Sequence, residues 1–422
     1  MGKKLIAVIL VAVVVVAAVA FVALSGDDGG NDEPSVLYDA AGNDITGKFD
    51  DSRIMTIGVG TLRWVSYFGH EDNVVCIDAG DANKASWNGK GYRSLFSFDS
   101  VALINHMKGA QAEPVESHVT DYGMAIHDHN GFSTSNLESL AKWNDKPTLT
   151  IVSNSIYDGF NEEFRTGLSR LTDVVVIYEV DEFVDGKMNL SNDFESNLAI
   201  MGKVLDSDDR AKQLKAGILG LFEDISKLVD GKTPIYKSVY VGGTALKGAQ
   251  DLKFSVGSYL PFQIAGVTNA YKGEGTTAVD TGSEGLSACN PDAIFMDLSG
   301  ASKFMSDESK PVRVYAQQHD LPIYTLLPYF WFGYNFDNAV ADAYFLIYAC
   351  YDGILTYDQC VQKIASVYEL FMPGAADLEK DGVHGGRVVV DNLNAYYSGV
   401  GSKLTFDGSK LECDESYAFV KA

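Results

Sequence analysis

The sequence is short of basic residues and of paired cysteines, and each shortage narrows the possible functions. It has 33 lysines and arginines and 57 aspartates and glutamates, which gives a formal net charge of −24. Because nucleic-acid phosphates attract the opposite charge, we expect no nucleic-acid partner. None of the five cysteines has the C-x-x-C spacing of a zinc or redox site. Cys350 and Cys360 lie ten residues apart, and the sequence leaves a disulfide between them open.

Motifs of catalysis and cofactor binding are also lacking. The sequence contains no G-x-S-x-G elbow, no H-E-x-x-H helix, no phosphate-binding loop and no complete dinucleotide fingerprint. No motif therefore identifies a candidate catalytic nucleophile. We expect a protein that is not an enzyme and carries no intrinsic cofactor.

The N-terminus has a long apolar run. Lys3 and Lys4 precede the 20 uncharged apolar residues 5–24, about the number that crosses a bilayer as a helix. The lysines predict that the N-terminus is inside and the body of the chain is outside. Residues 1–24 are therefore predicted to be a single membrane anchor, with a cleaved signal peptide as the alternative. Residues 25–35, rich in Gly, Asp and Asn, are predicted to be a flexible linker.

From Arg53 onward, short apolar runs alternate with helical segments. RIMTIGVG and NVVCIDAG are predicted strands with the helix TLRWVSYFG between them, and LTIVS (149–153) and DVVVIYEV (173–180) are further strands. This alternation is typical of a parallel sheet. Together with a preceding hairpin in SVLYDAAGNDITGKF, residues 36–190 are predicted to form an N-terminal lobe.

One long helix interrupts the alternation within a linker of residues 191–231. Apolar residues recur there at three- and four-residue spacing from Ala211 to Leu228, and Ser207 is suited to begin the helix. The pattern predicts a backbone helix over 207–229. Because a single helix is a stiff connection, we expect the lobes to hinge by only a modest angle.

The alternation resumes in residues 232–422, the predicted C-terminal lobe. Its strands are expected at SVYVGG (238–243), PFQIAGVTNA (261–270), DAIFMDL (292–298), VRVYA (312–316) and PIYTLLPY (322–329), followed by helices from Asp337 and a final strand or hairpin in RVVVDN and KLTFDG. The predicted fold class is therefore α/β, with two Rossmann-like parallel-sheet lobes joined by one long backbone helix and a ligand cleft between the lobes.

Several of these segments resemble a known family, the extracytoplasmic binding proteins of ABC importers for iron complexes, cobalamin and haem. RIMTIGVGTLRWVSYFGHEDNVVCIDAG resembles the family's opening strand–helix–strand. SEGLSACNPDAIFMD matches the Glu-x-Leu-x-x-x-Asn-Pro-Asp-x-Ile-Phe segment of a branch associated with iron-complex uptake, and PYFWFGYNFDNAVADAYFL resembles its Pro-Tyr-Asn-Trp turn. The resemblance covers about residues 36–370. In two departures, Phe330 replaces the Asn of the turn, and Arg63 stands where the commonest form has a Glu that docks on the permease.

The resemblance implies a solute-binding protein that captures an iron chelate, such as a siderophore, or a related metal complex. It would deliver this small molecule to an ABC permease. With the predicted anchor in the cell membrane its body would lie outside, and we expect a monomer. Two alternatives stay open: an oxyanion-binding protein of the same importer class, for molybdate or tungstate, and a surface or sensory module that does not transport.

Ligands of parallel α/β lobes bind beyond the carboxyl ends of the strands, where the sequence offers three candidate sites. In the first, Gly60, Thr61 and Arg63 offer backbone amides, a hydroxyl and a guanidinium to an anionic group. Arg63 facing the permease or solvent is the alternative. The second is the pair His127 and His129, which could ligate a transition metal, with two solvated histidines as the alternative.

The third candidate begins directly after the strand SVYV. Gly243 and Thr244 permit close backbone contact with a ligand, and Lys247 supplies a positive charge. It continues in a turn that crowds six aromatic residues into positions 329–336.

Residues 329–335 of this segment, which hold five of the six, are called the aromatic turn below. Because it follows the predicted strand PIYTLL, its aromatic side chains are expected at that strand's carboxyl end. Tyr329, Trp331 and Tyr334 would line the cleft, since rigid rings with polar tips suit such walls. A buried turn that packs its aromatic residues against a helix end is the alternative.

Overall fold

The structure is a computed structural model with two main sheets, one formed by strands that precede a long helix in the chain and one by strands that follow it. It describes residues 37–58, 60–70, 73–76, 134–142, 146–180, 182–184, 188–244, 250–297, 300, 303, 306–327, 329 and 334–372, and the backbone of 403–406 and 411–413. The predicted anchor and linker, residues 1–35, lie outside this set. Among the described residues no helix is long and apolar enough to span a membrane.

The first lobe is built on a four-stranded parallel sheet in the order β2-β1-β3-β4. Its strands are β1 (Ile54–Ile57), β2 (Val74–Cys76), β3 (Leu149–Ser153) and β4 (Asp173–Ile177). Its helices are α1 (Thr61–Tyr67), α2 (Thr134–Lys142), α3 (Asn154–Asp158) and α4 (Glu162–Ser169). Strands β1 and β3 are buried along their whole length, and β4 is buried from Val175 to Ile177, as is typical of parallel sheets covered on both faces.

The predicted N-terminal hairpin is present and covers the edge strand β4. Tyr38 and Asp44 form a single antiparallel bridge across it. The buried carboxylate of Asp39 accepts a hydrogen bond from the Val176 amide (3.0 Å), and the Ala40 amide donates to the Val176 carbonyl (2.8 Å). The hairpin therefore satisfies backbone groups that an open sheet edge would expose.

Two helices lead from the first lobe to the second. They are α5 (Asn192–Val204) and α6 (Asp208–Val229). The second confirms the predicted backbone helix to within one residue, and its buried positions Leu214, Ile218, Phe222 and Ile225 follow the expected helical spacing.

The second lobe contains a five-stranded sheet in the order β11-β10-β9-β8-β5. Strands β5 (Val239–Gly242), β8 (Ala293–Asp297) and β9 (Ile323–Leu326) are parallel, whereas β10 (Lys403–Phe406) and β11 (Leu411–Cys413) add an antiparallel hairpin. A short antiparallel pair consists of β6 (Phe254–Ser255) and β7 (Val279–Asp280). The helices are α7 (Leu260–Ala265), α8 (Gly282–Cys289), α9 (Lys310–Gln318), α10 (Phe336–Cys350) and α11 (Tyr357–Phe371).

Two predicted strands of this lobe were wrong. PFQIA lies in α7 and VRVYA lies in α9. Both helices carry proline in their first turn, where its fixed φ suits a helix and its missing N–H is not needed. In α9 the buried residues Val312, Arg313 and Ala316 share one helical face. The segment VRVYA, which was predicted as a strand, is therefore part of an amphipathic helix.

A single hydrophobic core continues from one lobe into the other. We call its aromatic part, where the lobes meet, the aromatic junction: Trp64, Tyr67, Phe183, Phe194, Phe222, Phe336 and Phe371. Ring centroids lie 4.8 Å apart for Phe183 and Phe336, and 4.8 Å apart for Tyr67 and Phe371. Wide separation of the lobes would expose these rings to water. The shared core therefore favours the modest hinge motion expected from the stiff helix.

The cysteines Cys350 and Cys360 are free thiols, so the disulfide that the sequence left open is not formed. Both are buried, and burial raises the pKa of each thiol to about 12. Buried thiols with such pKa values are unreactive and behave as small apolar side chains.

Candidate ligand-binding site

The first candidate loop lies at the point where the strand order of the first sheet reverses. Strands β2 and β3 flank β1 on opposite sides, so a crevice opens between the carboxyl ends of β1 and β3. Gly58 ends β1 with φ 100°, and a Cβ there would lie 2.5 Å from the Ser153 hydroxyl at the end of β3. Only glycine permits this approach of the two strand ends.

The polar groups of this loop bond to the loop itself. The Thr61 hydroxyl and amide both donate to the Gly58 carbonyl (2.6 and 3.1 Å), and the Arg63 amide donates to the Gly60 carbonyl (3.2 Å). Ligand contact by Gly60 and Thr61 stays a prediction. In this structure the loop's hydrogen bonds hold its own shape.

Ser153 is a residue of this crevice that sequence reasoning missed. It is nearly buried, and its hydroxyl lies 3.4 Å from the hydroxyl of Ser155. The signal was available in LTIVS, because a serine that ends a buried parallel strand beside β1 must lie at the carboxyl edge of the sheet.

Arg63 crosses from the first lobe to the second. Its side chain is 3% exposed, so the alternative of a surface arginine facing solvent or a permease is wrong. One terminal nitrogen donates to the Tyr334 carbonyl and the other to Asn335 Oδ1 (2.6 Å). The guanidinium carbon lies 5.8 Å from the centre of the Phe336 ring. Arg63 therefore brings the first candidate loop and the aromatic turn together.

The described part of the aromatic turn is anchored at the carboxyl end of β8. Asp297 ends that strand, and its Oδ2 accepts from the Tyr329 amide (3.1 Å) and from the Tyr259 hydroxyl (3.0 Å). The amide and side-chain nitrogens of Asn335 both donate to the Tyr329 carbonyl (3.0 and 3.2 Å), which closes the turn at its base. Asp297 and Asn335 are two further residues that sequence reasoning missed.

The two described tyrosines of the turn are packed into protein. Tyr329 is 2% exposed, and its ring lies 5.7 Å from that of Tyr259. Tyr334 is 7% exposed, and its hydroxyl lies 3.1 Å from that of Thr276. This burial agrees with the alternative of a turn packed against the start of α10, while ligand contact by either tyrosine stays a prediction. Trp331 lies outside the described residues.

The Gly-Gly pair after β5 serves close backbone packing. A Cβ on Gly242 would lie 2.4 Å from the Leu252 carbonyl oxygen. Gly243 has φ 78°, and a Cβ there would lie 3.1 Å from the Asp297 carbonyl oxygen and 3.3 Å from Gly300 Cα. Thr244 is fully buried, and its hydroxyl donates to the Phe254 carbonyl (3.1 Å). Lys247 lies outside the described residues, as do His127 and His129.

Behind the aromatic turn lie three fully buried carboxyl groups, those of Asp297, Asp337 and Asp342. Asp342 Oδ1 accepts from the Leu327 amide (2.8 Å), and the Tyr67 hydroxyl donates to Asp337 Oδ1 (3.0 Å). Burial raises the pKa of Asp342 well above its ordinary value, and the charges of Asp297 and Asp337 add to the shift. Burial also raises the pKa of Asp337, which the charge of Arg63 partly offsets.

These carboxyl groups do not form a metal centre. Among the described residues, no group of three or more His, Cys, Asp or Glu side chains is arranged to hold a metal ion. Their low-dielectric surroundings disfavour three negative charges at once, so protonated forms are expected among them.

Solved structures of similar fold are found at low sequence identity. A periplasmic solute-binding protein from Veillonella parvula aligns with 15% identity over 80% of this chain and 92% of its own, with a TM-score of 0.51. The periplasmic binding protein MolA from Haemophilus influenzae, solved with bound molybdate, aligns with 15% identity over 80% of this chain and 97% of its own, with a TM-score of 0.50. The chain has a periplasmic-binding-protein fold.

A weaker likeness, with a TM-score of 0.42 and 16% identity over 76% of this chain and 93% of the other, is to the haem-binding protein HmuT. Neither a protein-family model nor a curated protein matches the sequence. The likeness to the Veillonella parvula protein and to MolA confirms the predicted α/β fold class with two lobes. A shared fold does not determine which ligand is bound.

Proposed function

We propose that this chain is an extracytoplasmic solute-binding protein that captures an iron chelate or a related compact metal complex for an ABC permease. The observation that carries the proposal is the contact of Arg63 with Tyr334 and Asn335. Through it, the loop at the switch point of the first sheet meets the turn at the carboxyl end of the second. Both are the positions where ligands bind in α/β lobes of this kind.

The chemistry of the aromatic turn supports a bulky, preformed complex. In the sequence of the turn, Phe330, Trp331 and Phe332 supply three further aromatic rings, a residue type that suits a chelate bound without covalent bonds. Free metal ions are less well suited, since the described residues offer no cluster of metal ligands.

We propose that the body of the protein acts outside the membrane as a monomer without enzymatic activity. Residues 1–24 would then be a retained anchor or a cleaved signal.

Oxyanion binding is the second candidate, since MolA, with a similar fold, was solved with molybdate. A small oxyanion requires several hydrogen-bond donors directed at one point. The hydroxyls of Thr61 and Thr244 and both terminal nitrogens of Arg63 donate within the protein. These bonds favour the metal complex over the oxyanion. A surface or sensory module that binds without transport is the third candidate.

The experiment is a ligand panel on the full-length protein purified in mild detergent. The melting temperature is measured with ferric siderophores, haem, cobalamin, free metal ions and molybdate. A ligand in hundredfold excess over its dissociation constant stabilises the folded state by about 2.7 kcal/mol. Trp331→Ala tests the aromatic turn, and Tyr38→Ala is the matched control because Tyr38 is 55% exposed on the N-terminal hairpin.

Stabilisation by one metal complex, lost in Trp331→Ala and kept in Tyr38→Ala, would support the proposal. Stabilisation by molybdate alone would replace it with the oxyanion candidate. No stabilisation by any compound would contradict both transport candidates and favour the non-transport module.

A further inference from the structure

Arg63 occupies an unusual place for a ligand-binding residue. It belongs to α1 of the first lobe, yet both of its terminal nitrogens donate to residues of the second lobe. An arginine this deeply buried must have its donors satisfied, because an unpaired buried charge is costly. Its two acceptors belong to the aromatic turn, which is the proposed wall of the site.

The acceptors place Arg63 at the base of the turn. Asn335 accepts from Arg63 through Oδ1 and donates through its amide group to the Tyr329 carbonyl. The Tyr334 carbonyl is the other acceptor. Since Tyr329 and Asn335 are the two ends of the turn, one side chain of the first lobe stabilises the closure of a turn in the second.

The surroundings of the guanidinium match this role. Asp337, the second residue of α10, lies close enough to Arg63 for the guanidinium charge to offset part of the rise in its pKa, and the Tyr67 hydroxyl donates to that carboxyl at 3.0 Å. Tyr67 lies one turn after Arg63 on the same face of α1. Helix α1 therefore contacts the start of α10 through two side chains, which fixes the helix pair as well as the turn.

We propose that Arg63 is a positioning residue, which holds the base of the aromatic turn, at Tyr329 and Asn335, from the opposite lobe and so supports the proposed site. The inference rests on the proposed function only where it concerns the ligand. A planar guanidinium bonds two acceptors at a fixed separation, which a lysine ammonium does not reproduce. Lysine at position 63 therefore keeps the charge and loses the geometry.

The test measures hydrogen exchange at the amides of Tyr329 and Asn335 in the full-length, ligand-free protein, comparing wild type with Arg63→Lys and Arg63→Ala. We expect exchange at Asn335 to accelerate about tenfold or more in both variants, while β3 and β4 amides stay protected. Arg210→Ala is the matched control. Arg210, on α6, also contacts α1, donating to the carbonyls of Tyr67 and Phe371 (2.8 and 3.0 Å), and both of these acceptors lie outside the turn.

Unchanged exchange at Asn335 in both Arg63 variants would overturn the proposal. Equal acceleration in Arg210→Ala would also overturn it, because the effect would then be a general loosening of the lobe junction. If Arg63→Ala does not fold, hydrogen exchange at the amide of residue 335 is compared among wild type, Arg63→Lys and Asn335→Ala instead.

A ligand titration then separates positioning from direct contact. For a ligand found in the panel, we expect Asn335→Ala to weaken binding as much as Arg63→Lys, with little further loss in the double variant. Loss of affinity in Arg63→Lys without faster exchange at Asn335 would instead make Arg63 a direct ligand contact. If no ligand is found, the exchange experiment still decides the role of Arg63, so the two proposals fail separately.

Discussion

The two lobes meet in two regions whose chemistry differs. Behind the cleft, the aromatic junction joins them through apolar rings, and beside the aromatic turn they are joined by Arg63, Asn335 and Asp337. Apolar contact stabilises in proportion to buried area and has little direction. Hydrogen bonds of buried polar groups add little net stability but demand one geometry. The comparison indicates that the junction holds the lobes together, whereas the polar contact orients the site.

Two arginines illustrate the same contrast. Arg210 on α6 donates hydrogen bonds to carbonyl oxygens at the C-terminal ends of α1 and α11, where the helix dipoles favour a cation. Arg63 instead gathers acceptors in the aromatic turn, close to buried carboxyl groups. The first therefore stabilises the ends of two helices, and the second acts on the turn itself.

The largest expected effect comes from breaking the aromatic junction. Phe194 is fully buried, with its ring 4.9 Å from Trp64 and 4.6 Å from Phe183. We expect Phe194→Ala to lower the free energy of unfolding by about 3–5 kcal/mol, because it leaves a cavity between the lobes. Urea denaturation measures this. Ile235→Ala, at a residue 55% exposed, is the control and should change stability by less than about 0.5 kcal/mol.

A smaller loss of stability is expected from a substitution at Gly58, in the first candidate loop. Gly58→Ala must adopt φ 100° and places its Cβ against the Ser153 hydroxyl, so we expect a loss of about 2 kcal/mol. Removing that hydroxyl in Gly58→Ala/Ser153→Ala should restore part of the loss, since the φ strain remains. Equal stability of the single and double variants would mean that the contact with Ser153 is unimportant.

The buried carboxyl groups should make stability depend on pH in a defined direction. Because burial raises the pKa of Asp342 in the folded state, the folded protein retains a proton that the unfolded chain loses above about pH 4. Stability contributed by this group therefore falls as pH rises from there toward the folded-state pKa, by at most about 1.4 kcal/mol per pH unit.

Asp342→Asn imitates the protonated side chain and should flatten this dependence. We expect the variant to match wild type near pH 4 and to exceed it at pH 8 in urea denaturation. Asp209→Asn is the control, because Asp209 is fully exposed at the start of α6 and should leave the slope unchanged. A variant with the wild-type slope would show that Asp342 does not retain the proton.

The smallest expected effect concerns the thiols. Since Cys350 and Cys360 are free and buried, adding a reductant should leave the melting temperature unchanged. Cys360→Ser should lower stability slightly, by about 1 kcal/mol, because it buries a more polar group. A fall in melting temperature with reductant, absent in Cys360→Ser, would instead indicate a disulfide.

The elements that the sequence predicted well have a clear pattern over their whole length. The helix α6 has apolar residues at regular helical spacing, and the strand β3 is a short run that is buried throughout. The misassigned helices α7 and α9 contain only short apolar runs, which periodicity alone does not distinguish from strands. Pro261 and Pro311 were the available signals, since proline in the first turn favours a helix over a central strand.

Ligand contact by the candidate residues stays a prediction, and the structure shows only where they lie. Gly60 and Thr61 follow the end of β1, Gly243 follows β5, and the turn from Tyr329 to Tyr334 follows β9. The rule for parallel sheets does not say whether a polar group at the carboxyl edge faces a ligand or a neighbouring loop. Asp297 and Asn335 were missed because an acid at a strand end and an amide before a helix have no distinctive pattern.

By itself, the sequence determined the two α/β lobes, the helix between them and the crowding of aromatic residues after β9, because these depend on residues close together in the chain. Only the tertiary structure decided that Arg63 bonds to residues 271 and 272 positions away. That pairing depends on how the lobes are oriented, and their orientation results from many weak apolar contacts in the shared core. The orientation of the lobes therefore cannot be predicted from a pattern of residues close together in the chain.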